Sequence, residues 1–368
     1  MTRILVSAGE PSGDAHAARV VAALKQSHPA LTIEGVGGPL MEAAGVELIA
    51  GIGQLGAVGL VEALRTLPVH WQLLKRLKRR LAAGRYDAVL VVDYPGFHLR
   101  LAAAARSADV PVLYYIAPQA WAWGGWRLRS LRERVRALAV ILPFEEPYFR
   151  ARDIPATFVG HPLLDGPAAP SREEARRTLG LDADRPVLAV CPGSRAVEVN
   201  RLLPTFRAAV RRLRHQVPGL EAVLLDAAGA VGEDVPECSR WRGASATLFA
   251  AADAGLCKSG TTTLEAALAG MPMVVAYRMH PATFAIARRA VRVPDIALVN
   301  LVAGRRVVPE LVQRAATDAA LARAARPLLE RDGAEATQQR AAFAAIRTAM
   351  GAPGAARRVA ELVRELAA

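Results

Sequence analysis

Asp93 directly follows a short apolar run in the first half of the chain and precedes Tyr94-Pro95-Gly96-Phe97. The run Ala88-Val89-Leu90-Val91-Val92 predicts a buried parallel strand, and open α/β sheets bind their ligands at the carboxyl ends of such strands. A carboxylate at that point can act as a general base or can cap the following helix. Because Pro95 and Gly96 indicate a shaped loop rather than an immediate helix, we favour the general base.

A second candidate site begins at Pro192-Gly193-Ser194-Arg195, which follows a predicted strand ending at Cys191. An arginine after a Gly-Ser turn can present its planar fork to a diphosphate, and the amides of the turn add donors. The alternative is an exposed arginine in an ordinary helix-start loop. We interpret Gly193, Ser194 and Arg195 as diphosphate-binding residues.

The segment Ser259-Gly260-Thr261-Thr262-Thr263-Leu264-Glu265 also follows a predicted strand and opens a helix. Hydroxyls and unpaired amides gather at such a helix start, which suits phosphate groups. Glu265 lies one turn beyond Thr261 on the same helical face, where its carboxylate suits ribose hydroxyls. A plain capping box between Thr262 and Glu265 is the alternative. The candidate residues are Ser259, Gly260, Thr261, Thr262 and Glu265.

The first loop, Gly9-Glu10-Pro11-Ser12-Gly13-Asp14, lies between a predicted strand and a predicted helix. Its small residues let a ligand approach the backbone, and the helix start offers free amides. The loop lacks the lysine of a P-loop and the spacing of the dinucleotide-binding fingerprint. A tight turn with Ser12 or Asp14 as helix cap is the alternative. The candidate residues are Gly9, Ser12, Gly13 and Asp14.

Short runs rich in Val, Ile and Leu alternate with helical patterns along the chain, which is typical of βαβ units. The sequence therefore predicts an α/β protein with two Rossmann-like, doubly wound parallel-sheet domains facing a cleft. The predicted strands are 3–8, 32–36, 46–49, 88–92, 110–116, 137–142 and 157–159, then 186–191, 221–225, 254–257 and 272–276.

A linker is predicted within 161–186, which contains Pro162, Gly166, Pro167 and Pro170. We expect one domain over 1–165, a second over 166–345, and a C-terminal helix within 346–368 whose packing on the first domain is left open. The ligand is expected in the cleft between the two domains.

Composition fits this organisation. The 368 residues suit two domains, and 52% hydrophobic residues exclude disordered and fibrous classes. Lys and Arg outnumber Asp and Glu by 47 to 34, and the net charge of +13 predicts an anionic partner. The three cysteines form no CxxC pair, which indicates a reducing, cytoplasmic compartment. We expect neither a signal peptide nor a transmembrane helix.

In their order and spacing, these segments resemble the lipid-A-disaccharide synthase family, glycosyltransferases of the two-Rossmann-domain (GT-B) type, along essentially the whole chain. Each segment is short, but their joint order is specific. Besides the segments given above, the matching ones are Pro118-Gln119-Ala120-Trp121-Ala122-Trp123, Pro143-Phe144-Glu145, Gly160-His161-Pro162, 272–278, and Asn300-Leu301 with Gly304.

The resemblance implies an inverting transfer of 2,3-diacylglucosamine from UDP to the 6-hydroxyl of 2,3-diacylglucosamine 1-phosphate, giving a β-1,6 disaccharide and UDP. Asp93 matches the family's catalytic aspartate. The diphosphate is then expected at Ser194, Arg195 and 260–262, and the nucleoside at Glu265 and Asn300. The partners implied are UDP-diacylglucosamine and an acylated sugar phosphate. Nucleic acid is not expected, and a homodimer is left open.

Asp182-Ala183-Asp184 looks like the metal-binding DxD of another glycosyltransferase class, but it precedes a strand instead of ending one. We interpret it as a linker turn and expect no metal ion and no cofactor. His16 and His161 are alternative bases, although a single histidine in a turn is more often structural.

A basic amphipathic helix is predicted between Leu64 and Tyr86, a segment without acidic residues in which apolar residues recur every three or four positions. Such a helix suits a surface of anionic lipid. The resemblance adds weight to this interpretation, because both of the family's substrates carry acyl chains, and we expect a peripheral protein on the inner face of the cytoplasmic membrane. A packed helix with a solvated basic face is the alternative. The cations are Arg65, Lys75, Arg76, Lys78, Arg79, Arg80 and Arg85.

Two further functions compete with this interpretation. The first is another GT-B enzyme that uses UDP-N-acetylglucosamine, either a 2-epimerase or the transferase that makes the cell-wall lipid intermediate. The second is a non-catalytic basic protein that binds lipid. The order of segments along the whole chain, above all 118–123, favours the lipid A enzyme. Segment 226–246, rich in Gly and Ala, is shorter than is usual in the family, so uracil contacts from that region are not carried over.

Overall fold

The computed structural model describes residues 2–54, 60–226, 229–232, 234–291 and 293–368; the side chains of residues 54, 60–66, 282, 286, 287 and 290, Arg65 among them, lie outside this description. The chain divides into two compact units. Unit 1 comprises residues 1–166 and 350–368, and unit 2 comprises residues 167–349. The chain therefore leaves unit 1 once and returns to it for its last helix.

Unit 1 is built on a parallel sheet. Its strands are β1 (Arg3–Ala8), β2 (Thr32–Gly37), β3 (Glu47–Gly51), β4 (Ala88–Val92), β5 (Val112–Tyr115), β6 (Ala137–Val140) and β7 (Ala156–Phe158). Their order is β3-β2-β1-β4-β5-β6-β7, which puts β4 at the centre with every residue buried. Burial on both faces explains why β4 is a continuous apolar run.

Helices cover both faces of this sheet. Leu77 and Leu101 pack on one face, and Val21 and Val363 pack on the other. Because Val363 is fully buried among residues of unit 1, the last helix belongs to the core of that unit. Burial of one such valine side chain contributes about 1.5 to 3 kcal/mol to the stability of the fold. The helices are α1 (Pro11–Ser27), α2 (Pro39–Ala43), α3 (Leu60–Ala82), α4 (Pro95–Arg106), α5 (Arg127–Arg134), α6 (Glu145–Arg150) and, from the end of the chain, α15 (Ala355–Ala367).

Unit 2 repeats the architecture with strands β8 (Val187–Cys191), β9 (Glu221–Leu225), β10 (Ser239–Trp241), β11 (Ala254–Lys258), β12 (Met273–Tyr277) and β13 (Glu310–Val312). All pairs are parallel, in the order β10-β9-β8-β11-β12-β13. The helices are α7 (Arg172–Leu179), α8 (Ala196–Gln216), α9 (Ser245–Ala251), α10 (Thr261–Leu268), α11 (Pro281–Ala290), α12 (Leu298–Ala303), α13 (Asp318–Ala325) and α14 (Ala334–Ala349).

The predicted α/β class with two doubly wound parallel sheets is confirmed. Every predicted strand is present, and no strand end differs from its predicted position by more than two residues. The sequence did not predict β10 and β13. Both are three-residue edge strands without a long apolar run, and β10 lies in the Gly- and Ala-rich segment 226–246, for which no strand was predicted. In the described part of the chain, no helix is long and apolar enough to span a membrane.

Candidate active site

The backbone turns sharply after β4, at two residues that are not glycine. Asp93 and Tyr94 both adopt left-handed conformations, with φ of 52° and 49°, before α4 begins at Pro95. Such residues are uncommon outside glycine and cost free energy, so surrounding contacts must hold them in place. Asp93 therefore lies at the carboxyl edge of the sheet in a turn that the fold must stabilise.

Three hydrogen bonds fix the main chain of Asp93. Its amide donates to the Tyr115 carbonyl at 3.0 Å, and its carbonyl accepts from the Tyr114 hydroxyl and His98 Nδ1, each at 2.6 Å. Since a carbonyl only accepts, Nδ1 carries the proton, and Nε2 of His98 accepts from the Ser7 hydroxyl at 2.9 Å. Burial lowers the pKa of His98 to about 4, which keeps the ring neutral in this network.

The Asp93 carboxyl group is half-buried, and this burial raises its pKa above the usual value of aspartic acid. A hydrogen bond from the Tyr94 amide lowers the pKa, whereas the negative charge of Glu10 on the first loop raises it. A carboxylate with a raised pKa accepts a proton more readily, as a general base must.

The first loop packs closely against the Asp93 turn. A Cβ at Gly9 would lie 2.3 Å from the Tyr94 ring, so only glycine lets that ring cover the loop. Gly13 is buried, and a Cβ there would lie 3.4 Å from Ala8. Ser12 is exposed in the first turn of α1. Of the four first-loop candidates, Ser12 is the one whose side chain a ligand can reach.

Asp14 has a structural role. Its buried carboxylate accepts hydrogen bonds from the amides of Gly38, Leu40 and Met41 at 2.7, 3.1 and 3.1 Å. It therefore caps α2, which begins directly after Gly38. The alternative in which Asp14 or Ser12 caps α1 is wrong, because α1 has no side-chain cap.

A buried hydrogen bond connects two of the segments that resemble the family. Glu145 accepts from Trp121 Nε1 at 2.9 Å and from the amides of Ile141 and Leu142 at 3.2 and 3.0 Å. Burial raises the pKa of Glu145 to about 7 despite these three donors. Glu145 thus holds the 118–123 loop against the start of α6.

In unit 2, β8 and β11 are neighbours, with Cys191 opposite Cys257, so the loops that follow them lie side by side. Gly193 has a φ of 125°, in a loop that exposes Ser194 and Arg195. The Arg195 side chain is 68% exposed. A ligand can therefore reach both candidate diphosphate-binding side chains of this loop.

The loop after β11 starts α10 without a side-chain cap, since Gly260 directly precedes Thr261. The first amides of an α-helix have no partner within the helix, so an anion can accept from them. Thr261 is exposed and Thr262 half-buried. Ser259 differs, because its hydroxyl donates to the Ile296 carbonyl at 2.8 Å. The start of α10, at Gly260, Thr261 and Thr262, therefore has groups that an anion can reach, whereas the Ser259 hydroxyl supports the loop.

The two residues expected at the nucleoside, Glu265 and Asn300, differ in how many hydrogen bonds their side chains already make within the protein. Glu265 accepts from the Ser245 hydroxyl at 3.1 Å instead of forming the capping box, and burial raises its pKa. The Asn300 amide is buried. Its Nδ2 donates to the Val308 carbonyl at 3.1 Å and to Glu310 at 2.7 Å, and its Oδ1 accepts from two main-chain amides. These bonds connect α12 to β13, and the nucleoside contact of Asn300 stays a prediction.

Sequence reasoning missed Lys258, the last residue of β11. Its ammonium group lies 3.0 Å from Glu198 Oε1 and 5.9 Å from the centre of the Tyr277 ring. A lysine at the end of a predicted central strand was visible in the sequence. Its pairing with Glu198, sixty positions away, depends on the neighbouring strands.

Burial makes both alternative bases, His16 and His161, poor proton acceptors. His161 accepts a main-chain hydrogen bond, and His16 Nδ1 has no partner among the described residues. Burial lowers the pKa of both histidines to about 4, which makes them weak bases.

The Asp182-Ala183-Asp184 segment forms a turn before β8, in which the Asp182 carboxylate accepts hydrogen bonds from the amides of Asp184 and Arg185. Within the described ranges, no three His, Cys, Asp or Glu side chains group as a metal site requires.

Comparison with known sequences gives matches along nearly the whole chain. A family model described as lipid-A-disaccharide synthetase matches residues 4–358. The lipid-A-disaccharide synthase of Trichlorobacter lovleyi is 40% identical over 373 residues, covering 98% of this chain and 96% of that protein. The one of Geobacter metallireducens is 37% identical and covers 99% of this chain and 97% of that protein.

Solved structures with low sequence identity share the fold. MurG of Acinetobacter baumannii is 16% identical, with a TM-score of 0.59 and coverage of 99% of this chain and 100% of that chain. A putative UDP-N-acetylglucosamine 2-epimerase from Listeria monocytogenes is 13% identical, with a TM-score of 0.63 and coverage of 99% and 96%. These likenesses concern the fold alone, whereas the relatives at 37–40% identity distinguish between enzymes of that fold.

Proposed function

Because the chain belongs to the lipid-A-disaccharide synthase family, and is thus a glycosyltransferase of lipid A synthesis, we propose that it joins two acylated glucosamine units. The donor is UDP-2,3-diacylglucosamine, and the acceptor is 2,3-diacylglucosamine 1-phosphate. The acceptor 6-hydroxyl attacks the anomeric carbon of the donor, and the bond from that carbon to UDP breaks. The α-linked donor gives a β-1,6 disaccharide, so the transfer inverts the anomeric centre.

The observation that carries this proposal is the left-handed turn at Asp93, whose main-chain carbonyl accepts hydrogen bonds from two neutral side chains, His98 and Tyr114. An inverting displacement needs a base at the attacking hydroxyl, and the raised pKa of Asp93 suits it to take that proton. Ser7, His98 and Tyr114 fix the main chain that carries the carboxylate. Ser12, exposed in the first turn of α1, is the first-loop residue that we assign to the sugar substrates.

Unit 2 supplies the groups that stabilise the departing diphosphate. Arg195 offers its guanidinium, and Ser194 its hydroxyl, from the loop after β8. The start of α10, at Gly260 to Thr262, adds amides and hydroxyls where the helix dipole favours negative charge. Glu265 is placed one turn further on for the ribose hydroxyls. These donors stabilise the negative charge that develops on UDP as it leaves.

We also propose that α3 binds the inner face of the cytoplasmic membrane, where acylated substrates reside. Leu67, Val69 and Trp71 are exposed apolar residues on this helix, with Trp71 67% exposed. Lys75, which lies 5.7 Å from the Trp71 ring centre, begins the exposed basic part. Aromatic and aliphatic groups beside cations are typical of helices that lie at a lipid surface.

The role of Asp93 is tested by Asp93→Asn, which preserves shape and removes the base. We expect kcat for disaccharide formation to fall by about 10²-fold to 10⁴-fold, with the Kd for UDP changed by less than about threefold. Asp109→Asn is the matched control, because Asp109 is an exposed aspartate of unit 1 that also has a left-handed φ, of 54°. Full turnover by Asp93→Asn would exclude Asp93 as the base.

A further inference from the structure

Glu198 faces two cations of the region that we assign to the diphosphate, Lys258 and Arg195. Its Oε1 is 3.0 Å from Lys258 Nζ and 3.7 Å from Arg195 Nη1. Its Oε2 faces Gly193, where a Cβ would lie only 2.7 Å from that oxygen. The carboxylate is therefore held against the loop after β8, in a space that a side chain at Gly193 would fill.

Lys258 also faces the second loop. A Cβ at Gly260 would lie 3.6 Å from Lys258 Nζ, so the ammonium group is beside the start of α10. The Lys258 and Glu198 side chains are only 19% and 22% exposed, whereas that of Arg195 is 68% exposed. Lys258 is thus the more buried cation, within reach of both loops.

We propose that Lys258 is a further diphosphate-binding residue and that Glu198 is its counter-charge while no diphosphate is bound. This inference rests on the proposed function. An ammonium group is a compact point charge that suits a phosphate oxygen. An arriving diphosphate competes with Glu198 for the same ammonium and repels the Glu198 carboxylate, so Glu198 opposes diphosphate binding. In the empty protein, the carboxylate keeps the partly buried Lys258 charge paired.

The experiment is calorimetric titration of the full chain with UDP and, separately, with uridine, which lacks the phosphates. Lys258→Met is expected to raise the Kd for UDP by about 10-fold to 100-fold, the effect of losing one charge-assisted hydrogen bond. Glu198→Gln, which removes the competing charge, is expected to lower the Kd for UDP at least about threefold. Neither variant should change the Kd for uridine.

Matched controls come from an exposed ion pair on α7. Arg177→Gln and Glu173→Gln remove the same charges from side chains that are 73% and 86% exposed, and should leave both Kd values unchanged. Lys258→Arg keeps the charge and is expected to retain the UDP Kd within about threefold. A loss in Lys258→Met but not in Lys258→Arg therefore assigns the effect to charge and not to packing.

The outcomes separate this inference from the proposed function. If the wild-type chain binds UDP and Lys258→Met binds it equally well, Lys258 is not a diphosphate residue. Equal losses in Lys258→Met and Lys258→Arg contradict it as well, and weaker UDP binding by Glu198→Gln excludes the counter-charge role. A folded wild-type chain that fails to bind UDP contradicts the proposed function itself.

Discussion

At the scale of the residue, Asp93 depends on its neighbours for both its position and its proton affinity. Its main chain is held by the Tyr114 hydroxyl and by His98, which is oriented in turn by Ser7. Its pKa is raised by burial and by the charge of Glu10. Position and proton affinity therefore have separate causes and can be changed independently.

The pH dependence of turnover follows from the raised pKa of Asp93. Only ionised Asp93 accepts a proton, so kcat/KM should fall as the pH falls through that pKa. Glu10→Gln removes a charge that raises the pKa, and the acid limb of the pH profile should therefore move to lower pH. Because Glu10 is exposed and screened, we expect a shift of about 0.3 pH units.

The pH profile of Glu42→Gln is the control for this shift, since Glu42 is an exposed glutamate on α2. Its acid limb should coincide with that of the wild type. An acid limb that stays in place or moves to higher pH in Glu10→Gln would contradict the assignment of that limb to Asp93.

The sequence predicts where a candidate residue lies in the fold better than it predicts which groups its side chain contacts. Asp93 is identified because it ends an apolar run, and its place in the fold follows from strand order. Asp14 and Asn300 have types that suit a ligand, yet their side chains bind main-chain groups 24 and 8 positions away. Whether a polar side chain is free or already bonded depends on packing between distant segments, which composition and spacing do not encode.

At the scale of the element, the cations of α3 fall into two groups: some bond to other residues of unit 1, and others remain exposed to solvent. Arg80 pairs with the buried Glu34 and donates to the Tyr86 hydroxyl, and Arg76 donates to the Ile49 carbonyl. Periodicity predicts the amphipathic helix but not which of its cations are engaged. The exposed cations of the described part of α3 that no such contact engages are Lys75, Lys78 and Arg79.

We therefore expect the triple variant Lys75→Gln, Lys78→Gln, Arg79→Gln to bind anionic vesicles on the order of 100-fold more weakly than the wild type. Each cation near an anionic surface contributes about 1 kcal/mol at moderate salt. Sedimentation with vesicles containing phosphatidylglycerol measures the effect. A triple variant of unit 2, Arg177→Gln, Arg185→Gln, Arg212→Gln, removes the same charge from exposed arginines and should bind as the wild type does. Equal binding by all three proteins would exclude α3 as the lipid-binding element.

At the scale of the whole molecule, the candidate chemistry lies at the carboxyl ends of parallel strands in both units. Asp93 follows β4 in unit 1, and Arg195 and Gly260 follow β8 and β11 in unit 2. The alternation of apolar runs and helices is enough to predict these positions. The partner of the last helix was not predictable, because an amphipathic pattern shows that a helix has an apolar face but not what covers it. Val359 and Val363 place α15 in the core of unit 1.

The net charge of +13 predicts an anionic partner, and the structure divides these cations among different roles. Arg195 and Lys258 belong to the proposed diphosphate site, and Lys75, Lys78 and Arg79 to the proposed lipid surface. Others, such as Arg176, are buried in ion pairs that support the fold. A charge total therefore indicates the class of partner without locating its site.

The most direct test of the central claim is incubation of the wild-type chain with UDP-2,3-diacylglucosamine and 2,3-diacylglucosamine 1-phosphate. Mass spectrometry identifies the product, NMR gives its anomeric configuration, and a coupled assay follows UDP. We predict a β-1,6 disaccharide with one UDP released per disaccharide formed. An α-linked product, UDP release without disaccharide, or no reaction by the folded protein would contradict an inverting lipid A disaccharide synthase.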